Sequence, residues 1–269
     1  MQRTNKGRVA LVTGASAGIG RAFAEVLARE GFDVILTARR TDRLEAIAQG
    51  LSQQFAVAVH VLPDDLADAH APSRLVEAIV ARGLTVDVLV NNAGYGVPGS
   101  YADTTWAQQR DFLQVMVTAV SELTHLVLPG MIERRWGRIV NVASLAALVP
   151  GVAGHTLYAA SKAFLVRFSE SLSLEGAPHG VHVTAVCPGF TRSEFHDVTG
   201  TRAQVDELPR FMWLEAATVA EEGYAAVMHG APVVVNGRIN RGLALASRLL
   251  PQRLVRGLMR RNAAKFRKV

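Results

Sequence analysis

The sequence predicts an α/β fold in which a doubly wound parallel sheet carries helices on both faces, and three observations lead there. Short β-branched runs alternate with helically spaced segments along most of the chain. Several runs are apolar at nearly every position, as in Val86-Asp87-Val88-Leu89-Val90 and Val183-Thr184-Ala185-Val186, which suits strands covered on both faces. No low-complexity linker, fixed-period repeat or shift in composition breaks the series before residue 237 of 269.

The first strand, near 8–13, ends in Thr13-Gly14-Ala15-Ser16-Ala17-Gly18-Ile19-Gly20 and runs into the helical Arg21-Ala22-Phe23-Ala24-Glu25-Val26-Leu27. Glycines between a strand and a helix allow a tight turn and let backbone N–H groups approach a pyrophosphate at the positive helix end. An ordinary turn is the bland alternative. Placement directly after the first strand favours a Rossmann-like dinucleotide site, with Gly14, Ser16, Gly18, Ile19 and Gly20 as candidate cofactor residues. The second strand, near 33–37, ends at Thr37-Ala38-Arg39-Arg40. An acidic residue for an adenosine ribose is missing there, while Arg39 and Arg40 can neutralise a 2′-phosphate. The expected cofactor is therefore NADP (NADPH) in preference to NAD. Further strands are expected near 57–62, 86–90, 138–143 and 181–187.

Asn91-Asn92-Ala93-Gly94 follows the fourth strand, Ser144 the fifth and Pro188-Gly189 the sixth, with Tyr158-Ala159-Ala160-Ser161-Lys162 between the last two. Together with the glycine loop, these motifs resemble the short-chain dehydrogenase/reductase family over residues 8 to about 235. The resemblance implies that fold, a nicotinamide cofactor and interconversion of a carbonyl with its alcohol. Tyr158 and Lys162 are four apart and share one helix face, so an ammonium can favour the phenolate of its neighbour. Tyr158 is expected as general acid/base, Ser144 as the group that holds the reacting oxygen, and Lys162 also on the nicotinamide ribose. The resemblance further assigns Asp65 to the adenine edge, Asn91, Gly94, Pro188 and Gly189 to the cofactor cleft, and Thr191 to the nicotinamide end. A helix cap is the competing role for Asp65.

The family's relay asparagine falls at Met116, and a thioether offers no donor to a proton chain. Retention of Ser144, Tyr158 and Lys162 favours an active enzyme. A cofactor-binding sensor or scaffold with little catalysis is the rival. The segment 190–214 reads as a lid, and Phe195, Phe211, Met212, Trp213 and Leu214, with Tyr95, Val97 and Met116, point to a hydrophobic carbonyl or alcohol substrate. Packing of the lid on the body explains the same residues. His179 and His182 lack a ligand cluster, so no metal is expected, and His155 stands one turn before Tyr158. Cys187 is the sole cysteine, which excludes an internal disulfide, and it reads as a small buried side chain.

Charge divides the chain in two. Residues 237–269 hold ten basic and no acidic residues, leaving 19 basic against 23 acidic in residues 1–236. The body, 1–236, is expected as the dinucleotide-binding catalytic domain and 237–269 as a basic amphipathic extension packed on it or continuous with it. A mildly acidic body argues against a nucleic-acid partner. The uncharged stretch 139–161 contains Asn141, Pro150, Gly151 and Gly154 and reads as strand, loop and helix start rather than a membrane span. The amino terminus lacks the pattern of a secretory signal, so the expected location is cytoplasmic. After Pro251, Leu254, Val255, Leu258, Met259 and Phe266 share an arc opposite Arg253, Arg256, Arg260, Arg267 and Lys268. That arc suits peripheral membrane contact, a neighbouring subunit or the lid of its own domain, and the family resemblance, which implies a homodimer or homotetramer, puts the packing roles ahead.

Overall fold

A computed structural model describes residues 5–151, 153–154, 156–195, 209–251, 253 and 257. The first half alternates strand and helix: β1 (Val9–Thr13), α1 (Gly18–Arg29), β2 (Asp33–Thr37), α2 (Thr41–Phe55), β3 (Val59–Val61), α3 (Ala71–Val80) and β4 (Val86–Asn91). The second half continues with α4 (Trp106–Leu113), α5 (Ala119–Glu133), β5 (Gly137–Val142), α6 (Thr156–Gly176) and β6 (Val181–Cys187). Two short strands follow, β7 (Thr191–Arg192) and β8 (Leu214–Glu215), then α7 (Ala216–Met228), β9 (Val233–Val235) and α8 (Arg238–Leu249).

Seven strands pair in the order β3-β2-β1-β4-β5-β6-β9, all parallel. The six expected strands are present, and β9 joins them at the edge of β6. Strand periodicity explains why both faces are apolar. Ala10 and Val12 of β1 enter a core with Phe23, Leu27 and Val219, whereas Val9 and Leu11 enter the opposite core with Leu75, Leu123 and Met131. Each large side chain fully buried there stabilises the fold by roughly 1.5–3 kcal/mol.

The chain order reverses between β1 and β4, which opens a crevice above their carboxyl ends. Thr13 fixes the two sides of that crevice. Its Oγ1 donates to the Val90 carbonyl at 3.2 Å and accepts from the amides of Asn92 and Ala93 at 2.9 and 3.0 Å. Within the uncharged stretch 139–161, the described residues form the rest of β5, a short 3-10 turn at Leu145–Ala147 and the start of α6. Residues Trp106–Glu133 are long and apolar enough to cross a bilayer. They are divided by a π-helical turn at Gln114–Thr118, and α5 packs on α3 and beside β4 and β5.

Candidate active site

The crevice is a cleft of about 1130 Å³. At its base the first turn of α1 has no side-chain cap and no acidic residue, so its amides and dipole are available to an anion. Gly14 and Gly18 lie in the left-handed region at φ +65° and +55°. A Cβ on Gly14 would stand 2.8 Å from Asn92 Nδ2 and 2.9 Å from Ala93 Cα, so a side chain there would displace the β4 loop. Gly20 faces inward, where a Cβ would meet Asn92 Nδ2 and the Gly14 carbonyl, both at 2.4 Å. Gly14, Ser16, Gly18 and Ile19 line the cleft; Gly20 serves the close approach beneath it. Such a cradle, with uncapped amides and glycines that admit no Cβ, fits a dinucleotide.

At one end, Arg39, Arg40 and Asp65 line the cleft. Arg39 is 72% exposed and stands 4.0 Å from Asp65. Arg40 donates to Ser16 Oγ through Nη2 at 2.9 Å and binds Glu194 at 2.8 Å. Asp65 accepts from the Ala67 amide, closing a turn well before α3 begins at Ala71, so it does not cap that helix.

At the other end, Ser144, Tyr158 and Lys162 converge from the β5 end and from α6. Ser144 Oγ accepts from the Ala146 amide at 3.1 Å, which leaves its hydroxyl proton free to be donated to the Tyr158 phenol. Burial raises the pKa of Tyr158, and the Ser144 bond lowers it in part. Lys162, 5% exposed, donates to the Val142 carbonyl at 2.6 Å with its Nζ 5.7 Å from the Tyr158 ring centroid. Burial lowers its pKa to about 8. Cys187 is fully buried nearby and its thiol is pushed up to about 12, which keeps it neutral.

Pro188, Gly189, Thr191 and Gly94 also line the cleft. Thr191 Oγ1 donates to the Gly189 carbonyl at 3.1 Å. Two expectations need correction. Asn91 is 2% exposed and its amide bonds to Asn141 Oδ1 and Thr124 Oγ1 inside the sheet, so it has no surface in the cleft. Asn92 lines the cleft instead, and its amide donates to the carbonyls of Thr13 and Gly14. Met116 is 1% exposed, with Sδ 2.7 Å from where a Gly94 Cβ would stand. It lies beneath the wall and offers nothing to a substrate, whereas Tyr95 and Val97 do line the cleft.

The apolar end draws Phe190, Phe195 and Met212 from the expected lid, while Phe211 points to solvent and Trp213 packs on Phe190. Residues 196–208 of that lid, His155, and the arc from Leu254 to Lys268 lie outside the described residues. Val149, Pro150, Leu243, Ala246 and Leu250 complete this end. Leu243 and Ala246 come from α8 and Leu250 follows its last residue; the helix anchors through buried Asn240 and Ser247. Asn240 sits against Gly189, where a Cβ would come within 2.5 Å of its Nδ2.

Comparison with known proteins gives these surroundings a context. A short chain dehydrogenase profile matches residues 8–203. An uncharacterized oxidoreductase of Myxococcus xanthus is 40% identical over 187 residues, 70% of this chain and 73% of the relative. The 3-oxoacyl-[acyl-carrier-protein] reductase FabG of Aquifex aeolicus is 36% identical over 189 residues, 70% and 76% of the two chains. A short-chain dehydrogenase from Sphingobium yanoikuyae, solved in complex with NADPH, superposes with a TM-score of 0.79 at 30% identity, covering 94% of this chain and 95% of the other.

Proposed function

The chain belongs to the short-chain dehydrogenase family and is an oxidoreductase; from that premise we propose that it interconverts a hydrophobic ketone or aldehyde and its alcohol with NADP(H). The observation that carries this reading is one cleft with Ser16, Arg39 and Arg40 at one end and Ser144, Tyr158 and Lys162 amid apolar walls at the other. The NADPH bound by the Sphingobium relative supports the choice of cofactor.

Gly14, Ser16, Gly18 and Ile19 would hold the pyrophosphate, with Asn92 and Gly94 beside it and Arg39 and Arg40 toward the 2′-phosphate. When bound, the cofactor supplies or accepts the hydride. Tyr158, kept protonated by burial, donates its proton to the carbonyl oxygen in reduction and receives one from the alcohol in oxidation. Ser144 donates a hydrogen bond to the same oxygen, where negative charge develops. The Lys162 ammonium, fixed by the Val142 carbonyl, favours the phenolate left after proton transfer. Phe190, Phe195, Met212 and Leu243 exclude water and favour an apolar substituent.

Assembly belongs to the same proposal. Leu245 and Leu249 of α8 are exposed, and the family resemblance supports their burial in a homodimer or homotetramer. Gel filtration with light scattering should return a multiple of the chain mass. Sedimentation with anionic vesicles that is lost when the chain is ended after Arg248 would instead assign the basic segment to a membrane. The enzymatic reading is tested by Tyr158→Phe, which should cut turnover of a carbonyl substrate by at least about 10²-fold while NADPH still binds.

A further inference from the structure

Three consecutive residues after β7 strap the cleft at three points. Ser193 presses on the glycine loop, 2.8 Å from where a Gly18 Cβ would stand. Glu194 reaches the start of α2, where one carboxylate oxygen takes Arg40 at 2.8 Å and the other takes Arg43 at 2.5 Å. Phe195 packs on Tyr158 with ring centroids 5.6 Å apart. A single carboxylate thus engages two cations at the start of α2, Arg40, which lines the cleft and also holds Ser16, and Arg43.

We propose that Glu194 is a specificity-determining residue for the cofactor, an internal counter-ion of Arg40 and Arg43 from which the 2′-phosphate of NADP(H) takes these arginines. The inference rests on the NADP(H) reading and goes beyond it, because a residue distant in sequence from both arginines sets how strongly they discriminate. A 2′-phosphate carries about −1.5 to −2 charge and three acceptor oxygens, so it outcompetes one carboxylate for a guanidinium pair. A hydroxyl at the same position, as in NADH, leaves the carboxylate where it is. Entry of the phosphate also places Glu194 next to like charge, which loosens the strap on Gly18 and Tyr158. The neighbouring arginines hold the Glu194 carboxyl below its usual range, so the competitor stays ionised through neutral pH.

The test is the affinity of wild type and Glu194→Gln for NADPH and for NADH, read by quenching of protein fluorescence at low salt. The amide keeps the shape and removes the charge. NADPH should bind the variant about 3–10-fold more tightly, as expected for relief of a partly exposed ion pair, while NADH changes by less than about twofold. Added salt should narrow the difference. Weaker or unchanged NADPH binding overturns the inference, since Glu194 would then orient the arginines or do nothing. Equal tightening of both cofactors overturns it too, because the strap would be acting on the shared part of the dinucleotide. A wild type that prefers NADH removes the NADP(H) reading itself, a distinct result from an unresponsive variant of a wild type that prefers NADPH.

Discussion

Tyr158 and Lys162 illustrate how burial sets protonation at a single residue. Without its proton the phenol could not act as an acid, and desolvation keeps the proton on. Tyr158→Phe removes the donor but keeps the ring against Phe195, so turnover should fall on the order of 10²–10⁴-fold while the NADPH dissociation constant stays within about twofold. Lys162 moves the other way, with its pKa lowered to about 8. The ammonium is therefore lost as pH rises through about 8, and kcat/KM for carbonyl reduction should decline over that range; a profile flat to pH 10 would remove Lys162 from the chemistry. For stability the sign is opposite. A buried lysine with a depressed pKa costs most below pH 8, where it must carry charge, and that cost is relieved as pH climbs toward its unfolded value of 10.5.

Within elements, contiguity decided what could be read. The glycine loop and the Tyr158–Lys162 pair are spelled by neighbours in sequence, so turn and helix geometry place them without tertiary information. Asn91 shows the limit. It shares the face of Leu89 in β4 and so turns toward α5, while Asn92, one residue on, turns to β1. The α8 wall and the Glu194 clasp depend on contacts across the fold, and no local pattern around residues 194 or 243 announces them. Two glycines make the element scale testable. Gly20→Ala drives a Cβ into Asn92 and the Gly14 carbonyl and should destabilise by about 1–3 kcal/mol in urea unfolding. Gly50→Ala, on the open face of α2 with nothing within 4 Å, should stabilise by about 0.5–1 kcal/mol. For α8, Leu243→Gln should raise KM for a bulky apolar carbonyl about fivefold, with NADPH affinity unchanged.

Across the whole molecule, the parallel sheet was legible because near-continuous apolar strands require cover on both faces, and the two cores on either side of β1 supply it. Strand order is set by pairing at long range, and it places the crevice between β1 and β4, where dinucleotide loop and tyrosine end meet in one cleft. The net charge of the chain conceals a division between an acidic body and a basic end, and the proposed chemistry draws on local charges instead, at Arg39, Arg40, Glu194 and Lys162. The most direct measurement is the initial rate of NADPH and of NADH oxidation by the purified protein across a panel of hydrophobic ketones and aldehydes. At least one carbonyl should be reduced about tenfold or more faster with NADPH than with NADH, as a 2′-phosphate bound by arginines requires. Tight NADPH binding with no carbonyl reduced, or equal rates with both cofactors, would contradict it.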